Sequence, residues 1–305
     1  MSTDTSQQHR TEWVVFVAII VGMLMMAQLV ASQAVRDGFF LSYYDVSALP
    51  AMIAAAAAWS VVFVLTLTHL LRNVAPARSV PWLFIANGVL FFLEWSLSTT
   101  VPKIAAAVLY LHVLSLGMLV MSGYWSVVSE RFDPYTAKRN MGRIGGGVTL
   151  GGALGGGLVW WGAAALPIDW MLFGLGIANM LCAMGVWRLG QGAPVSTRMA
   201  GNNDSAIRIL SRTPYLRHLG MLVALGACCQ SLFEYVLKAT AAQHFHGEAE
   251  LIAFFAQFYL GLSIATFLIQ NIFTKRLLEN YGLSATISTE PIMAIALGLL
   301  AFLFP

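Results

Sequence analysis

Ionisable side chains stand inside apolar runs at four places in this sequence: Arg36 with Asp37, Glu94, Glu234 with Lys238, and Glu290. A charge at the centre of a membrane helix costs about 2.5 to 3.5 kcal/mol on insertion scales, so each of these needs a partner or contact with water. Glu234 and Lys238 are four residues apart, a spacing that puts both on one helix face where they partly neutralise each other. The chemistry open to such a set is recognition and translocation: cations hold an anionic solute, and carboxylates gate it or carry protons. Tyr110 and His112, in one further apolar run, can face the same cavity. The structural reading competes: an ion pair, a packed histidine, or a long side chain snorkelling to the interface. It weighs most for Arg36, Asp37 and Lys103, which are expected near span ends.

Other chemistries find no support in the residues. There is no His-Glu-x-x-His helix, no Gly-x-Ser-x-Gly elbow and no nucleotide-hydrolysing domain to power a pump, so no enzyme and no cofactor is expected. His244 and His246 ahead of Glu248 and Glu250 make at best a weak metal site, and none is assigned. Cys182, Cys228 and Cys229 lie within apolar runs without ligand spacing and read as small buried hydrophobes. The net charge of +3 comes from scattered basic residues with no continuous stripe, which sets nucleic acid aside.

The elements that must position these residues are membrane spans. Hydrophobic residues make up 58% of the 305 residues and charged ones 10%, and mean hydropathy is +0.74. A water-soluble fold could not hide that much apolar surface, so the bilayer is the expected solvent and partner. Nine spans are expected, at roughly 13–34, 46–71, 80–100, 104–128, 141–164, 167–189, 216–240, 250–273 and 284–304. Fourteen of the seventeen Lys and Arg fall in the N-terminal segment and the even-numbered connections; the other three are Arg36, Lys103 and Lys238. The positive-inside rule then puts the N-terminus in the cytoplasm, in a bacterial cytoplasmic membrane. Trp13, Trp82, Trp125, Trp160, Trp161, Trp170 and Trp187 lie near span ends as interfacial anchors.

A polar stretch rich in Gly, Ser, Asn and Arg divides six spans from three. The expected organisation is a six-helix half over 1–190, a cytoplasmic linker over 191–215, and the first three helices of a second half over 216–305. Basic loops recur after spans 2 and 8, and charges close spans 1 and 7, consistent with two parallel halves.

Between 142 and 162 the chain reads Gly-Arg-Ile-Gly-Gly-Gly-Val-Thr-Leu-Gly-Gly-Ala-Leu-Gly-Gly-Gly-Leu-Val-Trp-Trp-Gly. Gly147, Gly151, Gly152, Gly155 and Gly156 form small-x-x-x-small ridges that let membrane helices approach backbone to backbone. No Gly-Lys-Ser/Thr follows, so a phosphate loop is not the reading. Just ahead, Asp133-Pro134 is a helix start with Asp at the N-cap and Pro at the first helical position.

Four stretches carry a family resemblance: Ala34-Val-Arg-Asp-Gly38, Phe132-Asp-Pro-Tyr-Thr-Ala-Lys-Arg139, Arg212-Thr-Pro-Tyr-Leu216 and Phe233-Glu-Tyr-Val-Leu-Lys238. In these the sequence resembles the nucleotide transporter family, the ATP/ADP exchangers of intracellular bacteria and plastids, with their NTP/NDP-exchange-like relatives of major facilitator architecture. The resemblance implies an all-α polytopic helical bundle with nine of twelve spans present, as in a truncated chain. It also implies nucleotide phosphate handling by Arg36, Asp37, Glu234 and Lys238. The chain departs from the family's charge pattern at Gln33 and Ala34 and at His112-Val113. The leading expectation is a secondary carrier working by alternating access that moves an anionic solute, with nucleotide exchange as its specific form. The alternative is a transporter-derived membrane scaffold or sensor without transport. The translocation residues expected are Arg36, Asp37, Glu94, His112, Glu234, Lys238 and Glu290.

Overall fold

A computed structural model describes residues 2–70, 74–191 and 214–270. All regular structure among them is helical: α1 (Ser2–Tyr43), a 3-10 turn (Val46–Ala48), α2 (Leu49–Leu70), α3 (Pro76–Thr100), α4 (Pro102–Arg131), α5 (Pro134–Ala163), α6 (Ile168–Gly190), α7 (Pro214–His244) and α8 (Glu248–Ile269). Seven of these eight α-helices are long and apolar enough to cross a bilayer, the pattern of an integral multi-pass membrane protein. The helix outside that set is α5, whose glycines dilute its hydropathy although it is 30 residues long and packed within the bundle. The span expected over 284–304, the Gly190 to Pro214 linker except its two ends, and Glu290 lie outside the described residues.

Local sequence rules account for the helix starts. Pro76, Pro102 and Pro134 occupy the first turn of α3, α4 and α5, where a missing N–H costs nothing and φ is already helical. Asp133 caps α5 by accepting from the amides of Tyr135 at 3.0 Å and Thr136 at 3.1 Å.

The expected end of the first span at residue 34 needs correction, because α1 runs unbroken to Tyr43. Its second half is the hub of the molecule. Residues 28–41 are buried on every face except Gln33, which is half-buried, since α1 packs against α4, α5, α6 and α8. A helix buried all round belongs to a protein interior, so the charges it carries there cannot snorkel to water.

Among the first six helices the larger contacts have an internal symmetry, while the smaller α4·α6 contact has no α1·α3 counterpart of similar extent. Exchanging α1, α2 and α3 with α4, α5 and α6 turns the α1·α5 pair into α4·α2, turns α1·α6 into α4·α3, and leaves α1·α4 and α3·α6 unchanged; all of these pairs are in contact.

Two apolar clusters stack along the bundle. One gathers Val35, Phe39, Phe40, Phe91, Leu109 and Tyr110; the other gathers Val15, Met25, Phe84, Tyr124 and Val186. Along α1, α3 and α6 the boundary between the clusters is marked by buried amides, Gln28, Asn87 and Asn179.

The glycine ridges of α5 meet two different helices. A Cβ at Gly151 or Gly155 would fall on the backbone carbonyl oxygen of Met23 or Ala27 in α1, and one at Gly147 would strike Ile19 a turn earlier. On another face, Gly152 and Gly156 lie against Ser263 and Leu260 of α8, the latter through its backbone nitrogen at 2.9 Å from a would-be Cβ. Gly157 has open space beside it. Glycine at the crowded positions therefore sets the depth of both helix contacts. The cysteine expectation holds for Cys182, which is buried, and fails for Cys228 and Cys229, which are exposed on α7. Trp13, Trp82, Trp160, Trp161, Trp170 and Trp187 are exposed.

Candidate functional site

The α1 hub brings Arg36 and Asp37 into the interior, and because a helix rotates about 100° per residue the two would ordinarily diverge. The long guanidinium instead folds across to its neighbour. Arg36 Nε donates to Asp37 Oδ1 at 2.8 Å and Nη2 donates to Oδ2 at 3.0 Å, a two-pronged pair of the kind that holds carboxylates most firmly.

Asp37 also receives a second cation from far along the chain. Lys238 Nζ of α7 lies 3.1 Å from Asp37 Oδ1, with both side chains 0% exposed. The ammonium reaches the Tyr110 hydroxyl of α4 and Glu234 Oε2 one turn back on α7, each at 3.4 Å. Tyr259 of α8 donates its hydroxyl to Asp37 Oδ2 at 2.8 Å. The face of Tyr110 receives both cations, with Arg36 Cζ 5.1 Å and Lys238 Nζ 5.5 Å from the ring centroid. Gly38 permits this meeting, since a Cβ there would run into the backbone and side chain of Ile252 as α8 crosses α1.

The charge count gives the site its character. Among the described residues the enclosed ions of this cluster are two cations and one carboxylate, and the balancing Glu234 is 35% exposed at the side chain. Such a cluster has positive charge to offer an incoming anion, with one carboxylate positioned to be displaced. On the helix that delivers Lys238, only Lys238 and Ala241 are buried among the described residues, with Tyr235, Leu237 and Ala242 packed partly buried against the core beside them.

Glu94 and His112 do not join this cluster. They meet each other instead, His112 Nδ1 lying 2.8 Å from Glu94 Oε1, while His112 Nε2 lies 2.8 Å from Asn87 Oδ1. Asn87 Nδ2 continues to Asn179 Oδ1 at 2.7 Å, and Asn179 Nδ2 reaches Gln28 Oε1 at 3.1 Å. The result is a buried polar chain linking α3, α4, α6 and α1.

Sequence reasoning missed Tyr259, Asn87, Asn179 and Gln28. A single amide or phenol in an apolar run carries no signal until the helix face it occupies is known. Among the described residues no cluster of His, Cys, Asp and Glu is arranged to hold a metal, and His244 caps its own helix by facing the Thr240 carbonyl at 2.9 Å. The chain matches no family model, no curated protein and no solved structure.

Proposed function

We propose that this protein is a secondary membrane carrier for an anionic solute, working by alternating access, with nucleotide exchange as the specific form to be tested first. The observation that carries the reading is the fully buried Asp37–Lys238 pair between the hub helix α1 and α7, whose described residues are mostly exposed. A buried pair is weak evidence for stability, because desolvating both ions cancels much of their attraction. Its value lies in being exchangeable: an anion that takes Lys238 and Arg36 from Asp37 alters what holds α7 to the rest of the bundle. Ligand binding and helix docking are then one equilibrium.

The symmetric neighbour pattern of α1–α3 and α4–α6 supports a major facilitator architecture, in which each six-helix half is built from two inverted three-helix repeats. The sequence resemblance at Arg36-Asp37 and Glu234-Lys238 points the same way and suggests a phosphate-bearing cargo. Cations at these positions suit phosphate oxygens, and the Tyr110 and Tyr259 hydroxyls add polar contacts beside them.

A thermal-shift screen of detergent-solubilised protein against ATP, ADP, inorganic phosphate and non-phosphorylated dicarboxylates tests the proposal, since a ligand that binds only the folded form raises the unfolding temperature. Stabilisation by one anion class, lost in Lys238→Ala, is expected. No response to any anion would favour a scaffold or sensor without transport.

A further inference from the structure

The polar chain between the two apolar clusters has a proton count that its own hydrogen bonds define. Its direction is anchored at the Leu175 carbonyl oxygen, which can only accept. Asn179 Nδ2 donates to that oxygen at 2.9 Å and to Gln28 Oε1 at 3.1 Å, which leaves Asn179 Oδ1 to accept from Asn87 Nδ2 at 2.7 Å. Asn87 therefore turns its Oδ1 toward His112 Nε2, 2.8 Å away, and that ring nitrogen carries a hydrogen. The other ring nitrogen, Nδ1, faces Glu94 Oε1 at 2.8 Å. Two bare acceptors repel at this distance, so one proton lies between them.

That proton sits either on the imidazole, giving a carboxylate beside an imidazolium, or on the carboxyl, giving two neutral groups. Both arrangements are neutral overall. Removing it leaves one net negative charge on a pair only 1% and 6% exposed, which apolar surroundings oppose strongly. Glu94 Oε2 is buried with no hydrogen-bond partner among the described residues, a further sign that this carboxyl is not held as a solvated anion.

Among the described residues the ion-pair partner of Glu94 is His112, and no second charged side chain pairs with either. The helices packed around the pair bring it the amides Asn87, Asn179 and Gln28 and the ring of Phe91, 4.8 Å from the imidazole centroid. The described charged residues of these helices lie elsewhere: Glu12 of α1 pairs with Arg143 and Arg36 with Asp37, Arg78 is in the first turn of α3, Lys103 lies over the Tyr44 ring, Glu130 and Arg131 end α4, and Asp169 and Arg188 are in the first and last turns of α6.

The geometry points to Glu94 and His112 as a one-proton binding site through which the carrier couples its anionic cargo to a proton; this rests on the carrier reading above. The link is α4, which presents Tyr110 to the Arg36–Asp37–Lys238 cluster and, two residues on, His112 to Glu94. Movement of α4 on anion binding displaces both sites together.

Two measurements on the full chain decide this. Infrared pH-difference spectra of the solubilised protein are expected to show a carboxyl band that titrates in wild type and is absent in Glu94→Gln. An unchanged band in that variant would overturn the site. NMR of nitrogen-labelled histidine in wild type does not depend on a variant folding: His112 must keep its proton on Nε2, and a bare Nε2 would equally overturn it. In proteoliposomes given labelled ADP or inorganic phosphate, an inward gradient of one pH unit can raise accumulation by up to about tenfold if one proton accompanies each anion. Glu94→Gln should not respond to the gradient, and a wild-type response in that variant contradicts the coupling. Absence of uptake in wild type counts against the carrier reading and the coupling with it, while the spectra still decide the proton site.

Discussion

The carboxylate of Asp37 on α1 lies 3.1 Å from the ammonium of Lys238 on α7, with neither side chain exposed. Because Asp37 also holds Arg36, removing it leaves the buried Arg36 without its carboxylate and Lys238 with only the partly exposed Glu234, whereas removing Lys238 leaves Asp37 still paired. Asp37→Asn is therefore expected to destabilise by about 3–5 kcal/mol and Lys238→Met by clearly less, read as thermal unfolding in one detergent. Equal losses would show that the cluster is not organised around Asp37.

The Tyr259 hydroxyl donates to Asp37 at 2.8 Å, while the Tyr110 hydroxyl stands 3.4 Å from Lys238. A hydrogen bond to a charged group is worth about 1.5–3 kcal/mol, so Tyr259→Phe should cost an amount in that range. Tyr110→Phe keeps the ring beneath both cations and should cost less. The same unfolding assay ranks the two, and the reverse order would contradict the geometry.

Gly151 and Gly157 lie on one helix but face different surroundings, the backbone of Met23 and open space. Gly151→Ala should force α1 and α5 apart, at about 1–3 kcal/mol. Gly157→Ala should be neutral or stabilise by roughly 0.5–1 kcal/mol, since alanine is the better helix former. Similar behaviour of the two variants would remove the close α1·α5 contact from the account.

Asp133 titrates at the start of α5. Hydrogen bonds from Thr136 and from the Tyr135 amide hold its carboxyl below the usual aspartate value. Its capping contribution is thus present above the unfolded-state value and is lost as pH falls through the folded one. Amide exchange at the first turn of α5 should accelerate in that acid window in wild type, and be fast throughout in Asp133→Ala. A first turn equally protected in both proteins would show that the cap is inert.

The helices were legible because apolar runs of the right length announce themselves, and the Asp133-Pro134 start because capping is a local rule. The true length of α1 was not: Arg36 and Asp37 interrupt its hydropathy, and only the surrounding helices show that they are interior. The Glu234–Lys238 pair could be read from its spacing of four, whereas its junction with Asp37 depends on contacts between distant helices that no local pattern encodes. His112 and Glu94 were both legible as unusual residues, and their separation from the cation cluster was not. That depends on which faces α3 and α4 turn toward each other.

The most direct test of the carrier account is counterflow in proteoliposomes loaded with unlabelled ADP or inorganic phosphate, comparing wild type with Lys238→Ala and Glu234→Gln. A carrier built on this cluster takes up the matching labelled anion in exchange for the internal pool in wild type, and both variants, shown to be folded, do not. Equal exchange by all three would contradict it, as would wild-type vesicles that exchange neither anion.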